Sequence, residues 1–343
     1  MSKHKMRAIV QRAYGPADKV LELREIEIPT PRSDEVLVRV RAASVHPDVW
    51  HVIEGLPYVI RLFGGVTRPK RLVPGTDLAG VVEAVGESVT RFKIGDEVFG
   101  ESTSIGWWNG GAYAEWAAVP EKLLVHKPAN ISFEEAAAVP TSGFIAFNNL
   151  QRLDRHGPGQ TVLINGAGGC VGTLSIQIAK AKGARVTAVD RADKLSMMRA
   201  LGADHVIDYA KEDFLRGGER YDLILDVASN LSHDVCKHAL TAGGDYVPIG
   251  HAHFGRAPGR NGGRIVGGIP YFVGLLIRAM LDPEKRKNFK IPDKQETMLA
   301  FKALIESGKV KPFIGKTVAL AEVPAAIRSM QEERVVGRII VTP

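Results

Sequence analysis

The stretch TVLINGAGGCVGTLSIQIAKAKGARVTAVD (residues 161–190) decides how this chain reads. A β-branched run, a glycine-rich turn, a helical run, a second apolar run and a terminal acidic residue follow one another. That is the order of a dinucleotide-binding βαβ unit. The register that fits the fingerprint is Ala167, Gly169 and Gly172, an Ala-x-Gly-x-x-Gly form. Gly169 lets the backbone approach a pyrophosphate, and Gly172 lets the helix pack on the strand. Gly168, Cys170 and Val171 complete the turn, where amides at a helix start meet phosphates favourably. Asp190 follows Gly169 by 21 residues, close to the usual offset of the residue that holds a ribose hydroxyl.

Which nicotinamide coenzyme suits the unit depends on charge. A carboxylate at Asp190 accepts from a 2′-hydroxyl and repels a 2′-phosphate; two unit charges roughly 4 Å apart interact by about 4 kcal/mol at an effective dielectric near 20. Arg191 and Lys194 lie within four residues of it, and Tyr209 ends the next strand. Two cations offset the carboxylate, so local charge alone leaves NADH and NADPH balanced.

Outward from this unit, strands and helices alternate. HVIDY (205–209), YDLILDVAS (221–229) and GDYVPIG (244–250) are short runs separated by helical segments such as KLSMMRALG. This pattern predicts a doubly wound parallel sheet in an α/β domain. Asn130 or Ser132 caps its first helix, with Glu134 and Glu135 in the first turn, where their charge suits the dipole. The first 125 residues read differently: VLVRVRAASV (36–45) alternates, and GVVEAVG and GDEVFG are strands closed by glycine. They predict a small, mostly-β, barrel-like domain. DKQETMLAFKALIESG (293–308) is an amphipathic helix ending at a glycine, and the tail after it reads strand, helix, strand. The expected division is 1–128 with 293–343 for a discontinuous β domain, and 129–292 for the coenzyme domain.

Composition narrows the function classes. The net charge of +7 suits an anionic coenzyme, but RPKR (68–71) and PEKRK (283–287) are short and lack interleaved aromatics, so they read as solvated surface and not as a nucleic-acid site. Two cysteines, Cys170 and Cys236, exclude a four-cysteine zinc site and a disulfide framework, and point to a reducing cytoplasm. MSKHKMRAIVQRAYG passes from polar residues straight into a strand-like segment, so no signal peptide is expected. The apolar run IVGGIPYFVGLLI (265–277) has 13 residues with three glycines and a proline, short of the roughly 20 a spanning helix needs. It reads as a buried or interface segment, with a membrane-surface contact as the other reading.

On MRAIVQRAYGPADKVLELREIEIPTPRSDEVLVRVRAASV, PGTDLAGVVEAVGESVTRFKIGDEVFG, INGAGGCVG and GRIIVTP, the chain resembles the medium-chain dehydrogenase/reductase superfamily, in its zinc-independent quinone oxidoreductase-like branch. The resemblance covers nearly the whole chain; Cys170 departs from it, standing where many members have glycine. It implies a GroES-like catalytic domain, a Rossmann coenzyme domain and a cleft between them. Lys194 and Tyr209 resemble the 2′-phosphate contacts of the quinone reductases, which makes NADPH the preferred coenzyme over NADH. Thr141 resembles the position that touches the nicotinamide; the alternative is a helix hydroxyl bonded to its own backbone. Relatives that bind catalytic zinc hold it with Cys, His beside Glu, and Cys; the matching residues here are His46, Thr76 beside Asp77, and Ser142. No cysteine falls where the structural zinc lobe would lie, so no metal is expected. In SVHPDVWHVIEGLPY, His46 stands at the lost-ligand position and Asp48 is near enough to orient a neighbour. Trp50, His51 and Tyr58 are candidates for the acceptor pocket, and His51 falls where zinc-binding relatives keep a proton-relay histidine. The catalytic candidates are therefore His46, Asp48, His51 and Tyr58, and a homodimer is expected.

The function expected from this reading is hydride transfer to a small-molecule quinone or α,β-unsaturated carbonyl. Without a Lewis acid, reduction of an isolated carbonyl loses several kcal/mol of charge stabilisation, whereas a conjugated acceptor spreads the developing charge. The alternatives are a metal-free alcohol dehydrogenase or aldehyde reductase, and a non-catalytic NAD(P)H-binding protein.

Overall fold

The computed structural model describes residues 4–103, 108–155, 159–249, 263–281, 292–332 and 335–343. The basic cluster at 283–287 and the segment at 250–262 lie outside the described residues.

Strands β1 (Lys5–Gln11) and β2 (Leu21–Glu27) form an antiparallel pair. Next come β3 (Glu35–Val45), β4 (Asp77–Val85), β5 (Glu97–Glu101), β6 (Trp116–Pro120) and β7 (Leu124–His126). The alternation in β3 puts Val36, Val38 and Val40 into the core of a curled sheet, where β3 pairs antiparallel with β4 on one edge and with β6 on the other. This is the GroES-like domain.

The Phe133–Ala137 helix starts at Ser132, whose hydroxyl accepts from Glu135 N while the Glu135 carboxylate accepts from Ser132 N. This capping box satisfies two otherwise orphaned amides. The second sheet contains β8 (Thr161–Asn165), β9 (Arg185–Asp190), β10 (His205–Asp208), β11 (Tyr221–Asp226) and β12 (Leu240–Pro248). All five are parallel, in the order β10-β9-β8-β11-β12. Val162, Ile164, Val186 and Ala188 are fully buried, as in a sheet covered on both faces. Strand order reverses between β8 and β11, and in open α/β sheets ligands bind beyond the carboxyl ends at that point. This is the Rossmann-like domain.

The Lys294–Glu306 helix, capped by Asp293, lays fully buried Phe301 against Phe147 of the Pro140–Leu150 helix, at 6.2 Å between ring centroids. The chain then returns to the first sheet. Strands β13 (Ile314–Ala319) and β14 (Arg338–Thr342) are parallel to each other, and β14 pairs antiparallel with β3. That return brings the start of β14 to the ends of β3 and β8, where the candidate site lies. No helix among the described residues is long and apolar enough to cross a membrane.

Candidate active site

A cleft of about 410 Å³ opens at the reversal point. Its floor comes from Asn165 at the end of β8 and Gly166 after it, Asp190 at the end of β9, Tyr209 after β10, and Val227, Ala228 and Asn230 after β11. The facing wall is Val45 at the end of β3 with Pro47 and Trp50 after it, and Gly337 and Ile339 of the β14 segment. The volume suits a small-molecule or cofactor site.

The glycine turn is built in steps. Gly166 takes φ +82°, the left-handed turn position, while Ala167 is fully buried in the core. A Cβ on Gly172 would come within 2.5 Å of Ala167 Cα and of the Gly166 and Ala167 carbonyl oxygens, so only glycine lets the Cys170–Ala181 helix pack this closely. Gly169 is different: a Cβ there meets nothing nearer than Gly166 O at 3.5 Å, and the residue lines the cleft. Nothing inside the protein demands glycine at 169; a side chain would fill the cleft instead. Beside it, the first amides of the helix have no helix carbonyl to bond. A dinucleotide pyrophosphate fits this cradle.

At the far end of the cleft, Asp190 is fully engaged by its own chain. Its Oδ2 accepts from Gly168 N at 2.8 Å, its Oδ1 accepts from Arg191 N at 2.9 Å, and Lys194 Nζ lies 3.1 Å from Oδ1. Both side chains of the ion pair are largely buried. Arg191 reaches Asp193 through Nη2 at 3.1 Å, while its buried Nε has no hydrogen-bond partner among the described residues. Lys194, Arg191 and half-exposed Tyr209 line the cleft together.

Across the cleft, a buried polar network joins four segments. His46 Nε2 lies 2.5 Å from Thr76 Oγ1, and Thr76 Oγ1 lies 3.3 Å from Asp77 Oδ1. Asp77 Oδ1 accepts from Thr141 Oγ1 at 2.5 Å, and Oδ2 accepts from Thr141 N at 3.2 Å and from Ser44 Oγ at 3.4 Å. Arg338 Nη2 donates to Asp77 Oδ2 at 3.0 Å, its Nε to Ala138 O at 3.3 Å and its Nη1 to Val45 O at 3.4 Å. Asp77 and Arg338 are 0% and 1% exposed at their side chains, and Ser142 is buried beside Thr141.

Comparison with known proteins agrees with this architecture. The family profile described as an alcohol dehydrogenase GroES-like domain matches residues 32–129, and that described as a zinc-binding dehydrogenase matches residues 201–341. The chloroplast envelope quinone oxidoreductase homolog of Arabidopsis thaliana is 30% identical over 349 residues, covering 98% of each chain. The chloroplastic NADPH-dependent alkenal/one oxidoreductase of the same plant is 32% identical over 345 residues, covering 98% of this chain and 80% of that one. The chain belongs to the medium-chain dehydrogenase/reductase superfamily. The solved structure of the quinone oxidoreductase from Coxiella burnetii matches with a TM-score of 0.78 and 25% identity, over 99% of this chain and 100% of that one.

As a medium-chain dehydrogenase/reductase the chain is a nicotinamide-dependent oxidoreductase, yet its donor set does not suit zinc. Catalytic zinc needs three good ligands. Here the Nε2 of the one imidazole faces Thr76, the one carboxylate is held by Arg338 and Thr141, and Ser142 offers only a hydroxyl. No three His, Cys, Asp or Glu side chains among the described residues gather as metal ligands.

Several candidate residues of this medium-chain dehydrogenase/reductase sit apart from one another. Trp50 lines the cleft; Asp48 Oδ2 lies 3.7 Å from His46 Nδ1. His51 packs edge-on against Trp50 at 5.3 Å between ring centroids. Tyr58 is exposed, with the Arg61 guanidinium 4.7 Å from its ring, and is not part of the cleft lining. Thr141 spends its hydroxyl on Asp77, not on its own backbone. Sequence reading missed Gly166, Asn165, Asn230, Gly337 and Arg338. Of these, Gly166 belongs to the glycine run of the coenzyme loop, and Arg338 left a signal of its own, a lone charge inside the apolar run GRIIV.

Glu101 was also missed. It stands opposite Asp77 in the β4–β5 register, and its Oε2 lies 2.6 Å from Lys294 Nζ. Burial pushes its carboxyl up to about 7 against the pull of Lys294, with Asp77 and Asp48 adding to the rise. The folded chain therefore keeps a proton that the unfolded chain releases from about 4.5, and stability falls as pH rises from about 4.5 to about 7. Glu101→Gln is expected to remove this component, whose slope is at most about 1.4 kcal/mol per pH unit. Urea unfolding of both proteins across that window checks it; identical pH profiles would contradict the assignment.

Proposed function

We propose that the chain is an NADPH-dependent reductase of quinones or α,β-unsaturated carbonyl compounds that works without a metal ion. The observation that carries this reading is the closed network of His46, Thr76, Asp77, Thr141 and Arg338, which occupies the metal position opposite an intact coenzyme cleft. Bound there, the coenzyme supplies the hydride. The chain holds the acceptor against Trp50 and Pro47, excludes water with the β3 and β14 segments, and fixes His46 through Thr76 in the buried layer behind that wall. No group in that set matches a Lewis acid in strength, so acceptors that spread charge by conjugation are preferred. Relatives named for quinones and for alkenals and alkenones support the same substrate class.

The preference for NADPH rests on Asp190. Its carboxylate is turned onto the glycine turn and neutralised by Lys194, which leaves Arg191, Lys194 and Tyr209 to receive a 2′-phosphate. Lys194→Ala is expected to raise the KM for NADPH about tenfold, the lower end for a lost charge-assisted bond. It should leave NADH unchanged or better used, because Lys194 then no longer covers Asp190 Oδ1, while Gly168 N and Arg191 N still hold the carboxylate in place for a ribose hydroxyl. Equal losses with both coenzymes would contradict this.

We further propose a cytoplasmic homodimer, with β12 as the pairing edge. The overall test follows coenzyme oxidation by chelator-treated protein with quinones, enones and simple aldehydes. Turnover of the conjugated acceptors alone is expected. Activity confined to aldehydes and abolished by the chelator would overturn the reading.

A further inference from the structure

Two neighbouring segments present apolar side chains to solvent and take no part in the cleft. The first, residues 58–72, exposes Leu62, Phe63, Val66 and Leu72 at 66%, 52%, 65% and 46%. The second is the Ile269–Leu281 helix, on which Val273, Ile277, Met280 and Leu281 are exposed at 47%, 52%, 54% and 77%. These four stand at i, i+4, i+7 and i+8, which is a single stripe along a helix. The residues leading into the helix hold it beside the first segment: the Gly263–Val266 turn packs on Tyr58–Ile60, and a Cβ on Gly267 would come within 2.9 Å of the Pro57 ring.

Within the stretches that carry these side chains the charge has one sign. Residues 55–76 and 263–281 contain no aspartate or glutamate. Arg68, Lys70, Arg71 and Arg264 are exposed among the apolar residues. A second soluble protein would have to bring both carboxylates and a matching apolar surface. A sheet of anionic headgroups over acyl chains offers both at once, and takes up an apolar helix flanked by cations lying in its plane. At 1.5 Å per residue the helix is about 20 Å long, suited to lying on a bilayer and too short to cross it.

We propose that this face docks the protein on the surface of an anionic phospholipid bilayer. The four apolar side chains of residues 62–72 and the stripe on the Ile269–Leu281 helix enter the headgroup boundary, while Arg68, Lys70, Arg71 and Arg264 meet phosphate groups. The docked enzyme stands where an acceptor with a long apolar tail is concentrated. Docking itself does not depend on which acceptor is reduced.

The test is cosedimentation of the full chain with sucrose-loaded vesicles, either of phosphatidylcholine alone or with phosphatidylglycerol added. Binding is expected only with phosphatidylglycerol, and it should fall as salt is raised. Arg68→Gln with Lys70→Gln should weaken it about fivefold for each cation removed. Leu62→Ser with Phe63→Ser, and separately Ile277→Ser with Met280→Ser, should weaken it at least tenfold. All three variants alter exposed positions and should keep wild-type oxidation of coenzyme with a water-soluble acceptor. The reading is overturned if wild type stays in the supernatant with both vesicles, or if no variant changes partitioning. It is also overturned if the serine variants change the mass in sedimentation equilibrium but leave partitioning unchanged, which would make the face a protein interface. Vesicle binding is read without turnover, so failure of the reductase reading leaves this test intact.

Discussion

Arg338→Met is expected to lower the free energy of unfolding by about 3–5 kcal/mol, the usual cost of stranding one partner of a buried ion pair. Asp77 would keep its bonds from Thr141 and Ser44 but would lose the one cation it pairs with among the described residues, in a site with no solvent exposure. Ala138 O and Val45 O would each lose a donor as well. Three chain segments meet at this one guanidinium: the end of β3, the start of β4 and the turn before the Pro140–Leu150 helix. The loss should therefore loosen the wall of the cleft as well as the core. Pairing the change with Asp77→Asn removes the stranded charge and is expected to restore most of the stability, because well-packed neutral replacements of a buried pair are often close to neutral. Urea unfolding of the two single variants and the double variant gives the coupling directly. A single-variant cost below about 1 kcal/mol would mean that the pair is more hydrated than its burial indicates.

The same residue marks the limit of what the sequence conveys. The parallel sheet was legible because its strands are short apolar runs set between helices, and the return of the tail was legible from its strand-helix-strand pattern. Ser132 was one of two possible caps, and only the reciprocal bond with Glu135 decides between them. Arg338 and Asp77 are 261 positions apart, and no local period links them. Each is nevertheless a charge within an apolar strand, and buried charges require partners. That rule requires a partner for each, but with Asp190, Asp226, Asp245 and Glu101 also buried it does not name which one. Asp190 shows the opposite case: its charge was readable but its orientation was not, since Gly168 N and Lys194 claim it only once the turn has folded. Tyr58 was assigned to the acceptor pocket from nearness in sequence, yet the residues after Pro57 place its ring on Arg61, away from the cleft.

The run Gly166-Ala167-Gly168-Gly169 admits more than one register, and backbone geometry separates the roles, which leads to the second large effect. Gly169→Val is expected to leave thermal stability within about 1 kcal/mol of wild type, as for a surface change away from packing contacts. Its Cβ meets no atom closer than 3.5 Å, and φ at −89° is open to any residue. The same change should raise the dissociation constant for NADPH by about 10- to 100-fold. A branched side chain over the helix start holds the pyrophosphate off the orphaned amides, and a hydrogen bond to a charged group is worth about 1.5–3 kcal/mol. Gly172→Val should do the reverse. Its Cβ would collide at 2.5 Å with backbone atoms of Gly166 and Ala167, which cannot move aside as a side-chain end can, so folding fails before binding is tested. Fluorescence titration with NADPH and thermal unfolding, run on both variants, separate the two roles. If Gly169→Val unfolds early while still binding coenzyme normally, the residue serves the fold, and the pyrophosphate must lie elsewhere along the cleft.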